Sequence, residues 1–256
     1  MPSLLESTSN PFGGVVTSPD GLPEDPHRFR LILADSLSAW KTQGVLSVWM
    51  EVPISRSQLI PVAVEAGFLF HHSGDDYLMM IYRIEPDTYL PPYATHYIGA
   101  GGVVLNESQE LLVVREKYGF RGRPAQFKLP GGALLQGEHL VDALEREVLE
   151  ETGVRTEFQS LVCFRHWHQY RYGKSDIYFV CRLNPLSFEI VMQAEEIAEC
   201  RWLPVAEFLG SEDIGTFNKT IVQAALDSPG ISPTWIEGFI DRQQGEFFMP
   251  RISPQD

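Results

Sequence analysis

The sequence predicts an α/β fold in which a mixed β-sheet lies between helices. Segments at 97–105, 111–116, 155–165 and 175–183 alternate or cluster apolar residues, which is typical of strands. Between the second and third of these, Val141, Leu144 and Val148 recur at helical spacing, so one side of a helix packs on a core. Strands that surround such a helix favour an α/β sandwich.

The order of the remaining segments predicts a smaller α/β domain before this one. A helix containing Phe29, Leu33 and Trp40 on one face is followed by a strand, a second helix and two strands. Pro86, Pro91 and Pro92 then mark a linker. The expected parts are a disordered or loosely attached arm (1–26), a small α/β domain (27–90), the main domain (95–230) and an irregular, partly packed tail (231–256). Within the main domain, residues 187–192 are a possible further strand.

Composition excludes several classes of function. The 256 residues carry a net charge of −14, which argues against nucleic-acid binding because that requires a basic surface. No apolar run approaches the roughly 18 residues of a membrane span, and the first residues lack the pattern of a secretion signal. We therefore expect a cytoplasmic protein with no membrane partner. Its three cysteines have no CxxC spacing and are predicted to be reduced, small hydrophobic residues.

The helix near residues 140–152 carries an unusual acidic face. Glu147, Glu150 and Glu151 are three or four residues apart, so they are neighbours that repel one another by roughly 0.2–0.5 kcal/mol per pair. A solvated charged helix is the ordinary interpretation of such a run. The apolar stripe behind it and the glycines before it, Gly131 and Gly132, favour instead a ligand set for a hard divalent cation such as Mg²⁺.

The glycines and glutamates follow one continuous spacing rule. It reads Gly, five residues, Glu, seven residues, Arg-Glu, an aliphatic, any residue, Glu-Glu, any residue, Gly and an aliphatic. The positions are filled by Gly132, Glu138, Arg146, Glu147, Val148, Glu150, Glu151, Gly153 and Val154. This pattern resembles the Nudix box of the Nudix hydrolase family. The resemblance implies a Nudix α/β/α sandwich and hydrolysis of a nucleoside diphosphate linked to another moiety.

The resemblance also implies a role for each matching residue. Glu147, Glu150 and Glu151 are implied metal ligands, with Glu147 also a candidate base for the attacking water. Arg146 is implied to orient the glutamates. The remaining implied ligands are Glu138, as an outer or water-mediated ligand, and the carbonyl of Gly131. Mg²⁺ is the expected cofactor, with Mn²⁺ as an alternative.

The similarity extends over roughly residues 27–230. The segments SVWMEVPI, GFLFHHSGDDYLMMIY, LPPYATHYIGAGGVVLN and GKSDIYFVCRL resemble animal and plant Nudix hydrolases that carry an N-terminal pre-Nudix domain. Those relatives imply a truncated acetyltransferase-like fold for the first domain and ADP-ribose or NADH as substrate. We expect residues 27–84 to cover part of the Nudix sheet or to mediate a homodimer.

Substrate-binding residues are predicted in and beside three loops, the first at 117–126, the second at 166–174 and the third, which is acidic, at 195–199. Cationic side chains suit the phosphates of a nucleotide, although a solvated loop explains them equally well. For the third loop, the resemblance to Nudix hydrolases implies an extra catalytic or metal-binding glutamate, with a solvated acidic loop as the equal alternative. The candidates are Arg123 in the first loop, Arg165, His168, Arg171 and Lys174 in the second, and Glu196 in the third, beside Glu195 and Glu199.

Two other functional classes remain open at this stage. One is a Nudix-fold protein that senses a nucleotide or regulates a partner without turnover, and the intact box argues against it. The other is an acetyltransferase centred on residues 27–84, which lack an acyl-CoA pyrophosphate loop. Within the hydrolases, diadenosine polyphosphates and coenzyme A are the alternative substrates.

Overall fold

A computed structural model describes residues 4–118 and 125–250. The chain forms two compact units, one ending at Thr95 and the other beginning at His96. The boundary falls at the end of the proline-marked linker that the sequence predicted. In the described residues no helix is long and apolar enough to cross a membrane.

The N-terminal unit is a five-stranded sheet with helices. Its elements are β1 (Ser7–Ser9), β2 (Val15–Thr17), α1 (Pro26–Thr42), β3 (Ser47–Pro53), a 3₁₀ helix (Ile54–Leu59), α2 (Ile60–Glu65), β4 (Leu69–Ser73) and β5 (Tyr77–Arg83). The strand order is β1-β2-β3-β5-β4, with β2 parallel to β3 and the other pairs antiparallel. The predicted order of helices and strands over residues 27–84 is observed.

The segment before α1 is not the loosely attached arm that the sequence predicted. Leu5, Val15 and Leu22 are buried in the core of this unit. The backbone N–H of Leu5 donates to Ser36 Oγ at 2.9 Å, and β2 adds a parallel strand beside β3. The proline- and glycine-rich composition obscured three-residue strands that are stabilised by pairing and burial, which no local pattern reveals.

The C-terminal unit is the larger one. Its elements are β6 (His96–Val104), β7 (Glu110–Glu116), α3 (Leu140–Thr152), β8 (Thr156–Trp167), a 3₁₀ turn (Arg171–Gly173), β9 (Ser175–Pro185), β10 (Ile197–Pro204), α4 (Val205–Gly210), α5 (Thr216–Asp227), β11 (Pro233–Thr234) and β12 (Phe247–Phe248). The sheet β6-β9-β8 is mixed, because β6 and β9 are parallel while β8 and β9 are antiparallel. Strands β7 and β10 form a second, antiparallel sheet.

Helices cover both faces of the mixed sheet. Val104 points to one side, where it packs in a cluster with Leu144 of α3. Val103 points to the other side, into a cluster with Val222 of α5. This alternation along β6 places the sheet between α3 and α5, which confirms the predicted α/β sandwich with a mixed sheet.

The segment at 187–192 contains no strand, in contrast to the sequence expectation. It crosses the C-terminal end of α3, where the N–H of Val191 donates to the carbonyl of Thr152 at 2.9 Å. Gly153 ends the helix with a φ of 75°, and a Cβ atom there would lie 2.7 Å from Val191 Cβ. Hydrogen bonding to a helix end replaced the strand pairing that its apolar residues suggested.

The described residues from 231 to 250 are attached to the C-terminal unit. Ile231 and Leu161 exchange two backbone hydrogen bonds, of 2.9 and 2.8 Å. β11 pairs with β12, and the ring of Phe248 lies 5.6 Å from that of Phe158. The three cysteines are free, as predicted, and burial raises the pKa of the Cys200 thiol to about 12.

Candidate active site

A tight loop of the C-terminal unit lies against β6 immediately before α3. The N–H of Gly102 donates to the carbonyl of Pro130, and that of Ala100 donates to Gly132, both at 2.9 Å. Gly131 between them has a φ of 141°, and a Cβ atom there would lie 2.2 Å from the carbonyl oxygen of Ala100. Only glycine permits this backbone approach. Because both flanking carbonyls are bonded to β6, the Gly131 carbonyl is the candidate ligand of this loop.

Helix α3 presents one apolar face and one charged face. Leu140, Leu144 and Val148 are buried, whereas Val141, which the sequence analysis placed in this stripe, is half-buried. The stripe therefore begins one residue earlier than predicted. The glutamates continue from this stripe toward solvent, because Glu151 is buried, Glu147 is half-buried and Glu150 is exposed.

The guanidinium of Arg146 binds three glutamates. Its Nε donates to Glu138 Oε1 at 2.7 Å and its Nη2 to Glu138 Oε2 at 2.9 Å, which is a bidentate pair. Its Nη1 donates to Glu147 Oε1 at 2.9 Å and to Glu150 Oε2 at 3.1 Å. Hydrogen bonding to Arg146 lowers the pKa of Glu138, and the same bonds raise the pKa of Arg146. Arg146 thus offsets the repulsion between like charges on the helix.

Glu151 has a different environment from the other glutamates. Its side chain is buried, and Oε2 accepts a hydrogen bond from the N–H of Gly131 at 2.8 Å. Burial raises the pKa of Glu151 to about 7, although Lys128, whose Nζ lies 4.0 Å from Oε1, opposes that shift. Glu147 and Glu116 raise it further, which places their negative charges near this carboxyl.

Sequence reasoning did not identify Lys128 and Glu116. Lys128 Nζ pairs with the carboxylate of Glu116 as well as lying near Glu151. A signal was available: strand alternation puts Glu116 on the same face of β7 as Val114 and Leu112, and Leu112 packs in the cluster that contains α3. Both charged residues therefore belong to the candidate site.

The donor chemistry of this site fits a divalent cation. Carboxylates of Glu147, Glu150 and Glu151 on one side of α3, together with the Gly131 carbonyl, are the oxygen ligands that Mg²⁺ prefers. Across residues 4–118 and 125–250, however, no three acidic, histidine or cysteine side chains converge as a preformed metal centre. Arg146 draws Glu147 and Glu150 to itself, while Glu151 is bonded to Gly131. Arg146 bonds one oxygen of Glu147 and one of Glu150, so the second oxygen of each carboxylate can bind a cation while the bonds to Arg146 are kept.

The predicted substrate residues of the second loop contact their own hairpin. Arg165 pairs with the buried carboxylate of Asp176 and lies 5.0 Å from the ring of Phe217 on α5. His168 Nδ1 lies 3.0 Å from Ser175 Oγ. Arg171 and Lys174 lie over rings, 5.3 Å from Tyr170 and 5.7 Å from Tyr97. Arg165 is thus engaged in packing, and the structure does not bring these four residues onto the glutamates of α3.

The candidates of the first and third predicted loops are Arg123 and Glu196, with Glu199 beside it. Arg123 falls outside the described residues. The carbonyl of Glu196 accepts a hydrogen bond from the N–H of Lys117 at 2.8 Å, which attaches the third loop to the end of β7. Glu199 lies in β10 rather than in that loop, and its carboxylate pairs with Arg115 of β7. Strand pairing with β7 therefore extends further toward the acidic loop than predicted.

A cavity of about 520 Å³ opens at β7, β10 and α4 and was not anticipated from the sequence. Phe127 is part of its lining, and the guanidinium carbons of Arg115 and Arg201 lie 5.1 and 4.7 Å from the centroid of the Phe127 ring. Glu207 and Asp213 add acidic groups to the lining. Both guanidinium groups are ion-paired, Arg115 with Glu199 and Arg201 with Glu199 and Glu207. Phe127 packs in the cluster that contains Val113 and Val222, whereas Lys128 contacts Glu116, so the cavity and the acidic site lie on opposite faces of β7.

The pKa of Glu151 predicts a pH dependence of stability in the metal-free protein. The unfolded carboxyl titrates near 4.5 and the folded one near 7, so the folded state holds the extra proton between these values. Its contribution to the free energy of unfolding is complete below about pH 4.5 and is lost as the pH rises to about 7. Thermal unfolding of the wild type and of Glu151→Gln in chelator, from pH 4.5 to 8, should show the variant gaining stability relative to wild type as pH rises. A difference that is constant with pH would contradict this assignment.

Comparison with known proteins gives consistent matches in both units. A family model described as a Nudix hydrolase domain matches residues 5–84, and one described as a NUDIX domain matches residues 95–224. The first match includes most of the segment that was expected to be a loose arm.

Similar proteins come from a plant and from animals. Nudix hydrolase 2 of Arabidopsis thaliana is 45% identical over 210 residues, which are 81% of this chain and 74% of the relative. Nudix hydrolase 8 of the same plant is 42% identical over 209 residues, but the chain spans only 57% of its length. Nucleoside diphosphate-linked moiety X motif 6 of Homo sapiens is 32% identical over 230 residues, which are 87% of this chain and 72% of the relative. With these matches and an intact Nudix box around Arg146, the chain belongs to the Nudix hydrolase family.

Proposed function

We propose that the protein hydrolyses a nucleoside diphosphate linked to another moiety, with Mg²⁺ as cofactor and Mn²⁺ as an alternative. The observation that carries the proposal is the Arg146 network, which holds Glu147 and Glu150 beside the buried Glu151 and the Gly131 loop. A charged surface helix without a ligand would not need a buried glutamate whose pKa is raised to about 7.

Each residue of this site has a defined task in the proposed reaction. Glu147, Glu150, Glu151 and the Gly131 carbonyl would hold the cation, with Glu138 as an outer or water-mediated ligand. When bound, the cation supplies positive charge to the phosphate oxygens and lowers the pKa of water. Glu147 is the proposed base that accepts the proton of the attacking water. Arg146 orients the glutamates, and Lys128 balances the charge of Glu116 and Glu151.

ADP-ribose and NADH are the proposed substrates. Arg171 and Lys174 after β8, together with the ring of Tyr170, support a ligand that has two phosphates and a planar base. Addition of water across the bond between the two phosphates gives AMP and ribose 5-phosphate, or AMP and reduced nicotinamide mononucleotide. Diadenosine polyphosphates and coenzyme A are the alternatives. The proposed phosphate contacts remain Arg123, Arg165, His168, Arg171 and Lys174. Glu196 remains a proposed residue of the substrate site, with an extra catalytic or metal-binding role.

The proposal also covers the binding partner, the location of the protein and the role of residues 27–84. The net charge of −14 supports a partner that is a small nucleotide rather than a nucleic acid. A cytoplasmic location is part of the proposal. We further propose that residues 27–84 have no acetyl-transfer function and serve to cover the Nudix sheet or to mediate a homodimer.

Removing one ligand charge tests the site. Glu150→Gln and Glu151→Gln should each lower turnover by at least about 10²-fold, because a lost carboxylate ligand weakens charge stabilisation at the phosphates. The matched control is Glu157→Gln on the exposed edge of β8, which should keep wild-type turnover. Circular dichroism verifies folding. Near wild-type rates in both helix variants would contradict the placement of the active site on α3.

The substrate proposal has its own test. Initial rates with and without Mg²⁺ should rank ADP-ribose and NADH above nucleoside triphosphates in kcat/KM, with AMP as a product. If a nucleoside triphosphate exceeded both by tenfold or more, the substrate would be wrong and the hydrolase proposal would stand. Tight nucleotide binding without Mg²⁺-dependent product would instead favour the alternative, a nucleotide-sensing or regulatory Nudix-fold protein.

A further inference from the structure

The first turn of α3 is capped by a residue from the far end of the chain. His139 occupies the N-cap position but makes no side-chain capping hydrogen bond to the helix. The backbone N–H of Leu140, the first residue of the helix, instead donates to the carboxylate of Glu246. The ring of His139 also contacts this segment, with Nε2 2.8 Å from the carbonyl oxygen of Arg242. Residues 242–246 thus hold the start of the helix that carries the glutamates.

The segment that supplies Glu246 is tied to the sheet on both sides. Before it, Ile231 is bonded to Leu161 of β8, and after it Phe248 packs on Phe158 of the same strand. Phe158 is itself fixed to α3, because its N–H donates to Glu145 Oε1 at 2.7 Å. The contacts therefore form a closed path from α3 through β8 and the C-terminal segment back to the start of α3.

The start of α3 controls the Arg146 network through Glu138. Glu138 immediately precedes His139, and its carboxylate accepts from the N–H of Leu135 at 3.0 Å as well as from Arg146. A displacement of His139 and Leu140 would carry Glu138 with it. The bidentate pair with Arg146 would then be lost, and with it the position of the glutamates that share that guanidinium.

We propose that Glu246 is a positioning residue for the hydrolase site. Its carboxylate satisfies an N–H that is otherwise unpaired at a helix start, and its negative charge is favourable beside the positive end of the helix dipole. Through Leu140 and Glu138 it keeps Arg146 in register with the glutamates. This inference rests on the proposed function for its effect on turnover, whereas its effect on the helix start is independent of any activity.

The test compares Glu246→Ala, the near-isosteric Glu246→Gln and the control Glu237→Ala in the full chain. Glu237 is an exposed glutamate of the same segment. With ADP-ribose and Mg²⁺, Glu246→Ala should lower kcat by roughly fivefold or more and change KM less than twofold, because substrate contacts are untouched. Glu246→Gln keeps a hydrogen-bond acceptor and should retain at least half of the wild-type kcat. Glu237→Ala should match the wild type.

Hydrogen exchange gives the readout that needs no activity. Amides of 140–146 should exchange several-fold faster in Glu246→Ala, while those of α5 stay unchanged. Four results would each overturn the proposal. They are a wild-type kcat in Glu246→Ala, an effect of that variant on KM alone, equal impairment of the Ala and Gln variants, and unchanged exchange at 140–146. If the wild type itself released no product with Mg²⁺, the proposed function would fail, and the exchange result would still decide whether Glu246 holds the helix.

Discussion

The site depends on the hydrogen bonds of one guanidinium group. Glu147, Glu150 and Glu151 are neighbours on one side of α3, and three such charges oppose helix formation. Arg146 is the cation among them, and its planar fork reaches Glu138, Glu147 and Glu150 at once. A lysine could balance charge but could not make the bidentate pair with Glu138 while also bonding the other two.

Other contacts in the C-terminal unit hold the residues around this guanidinium in place. The Gly131 loop approaches β6 so closely that a side chain is excluded, and its N–H fixes Glu151. Burial raises the pKa of Glu151, and the positive charge of Lys128 opposes part of that rise. Both ends of α3 are held by distant segments, Glu246 at the start and Val191 at the end. The helix that carries the charges is therefore fixed by contacts outside itself.

The sequence predicted those features of the fold and the site that depend on residues close together in the chain. The acidic face of α3, the glycines around it and the sandwich class follow from periodicity and from a motif whose nine positions are close in sequence. The packed segment with β2, the positions of Lys128 and Glu116, and the cavity at Phe127 depend on which strands pair, and that information is not local. The ion pair of Arg165 with buried Asp176 has the same origin, because it depends on the pairing of β8 with β9.

Turnover of Arg146→Lys tests the central role of the Arg146 fork most directly. The substitution keeps one positive charge, so a change in rate reports the geometry of the guanidinium rather than net charge. At saturating Mg²⁺ and with the fold verified by circular dichroism, kcat should fall by at least about tenfold, since Glu138, Glu147 and Glu150 lose their common partner. A variant with wild-type kcat and an unchanged Mg²⁺ requirement would contradict the role assigned to Arg146.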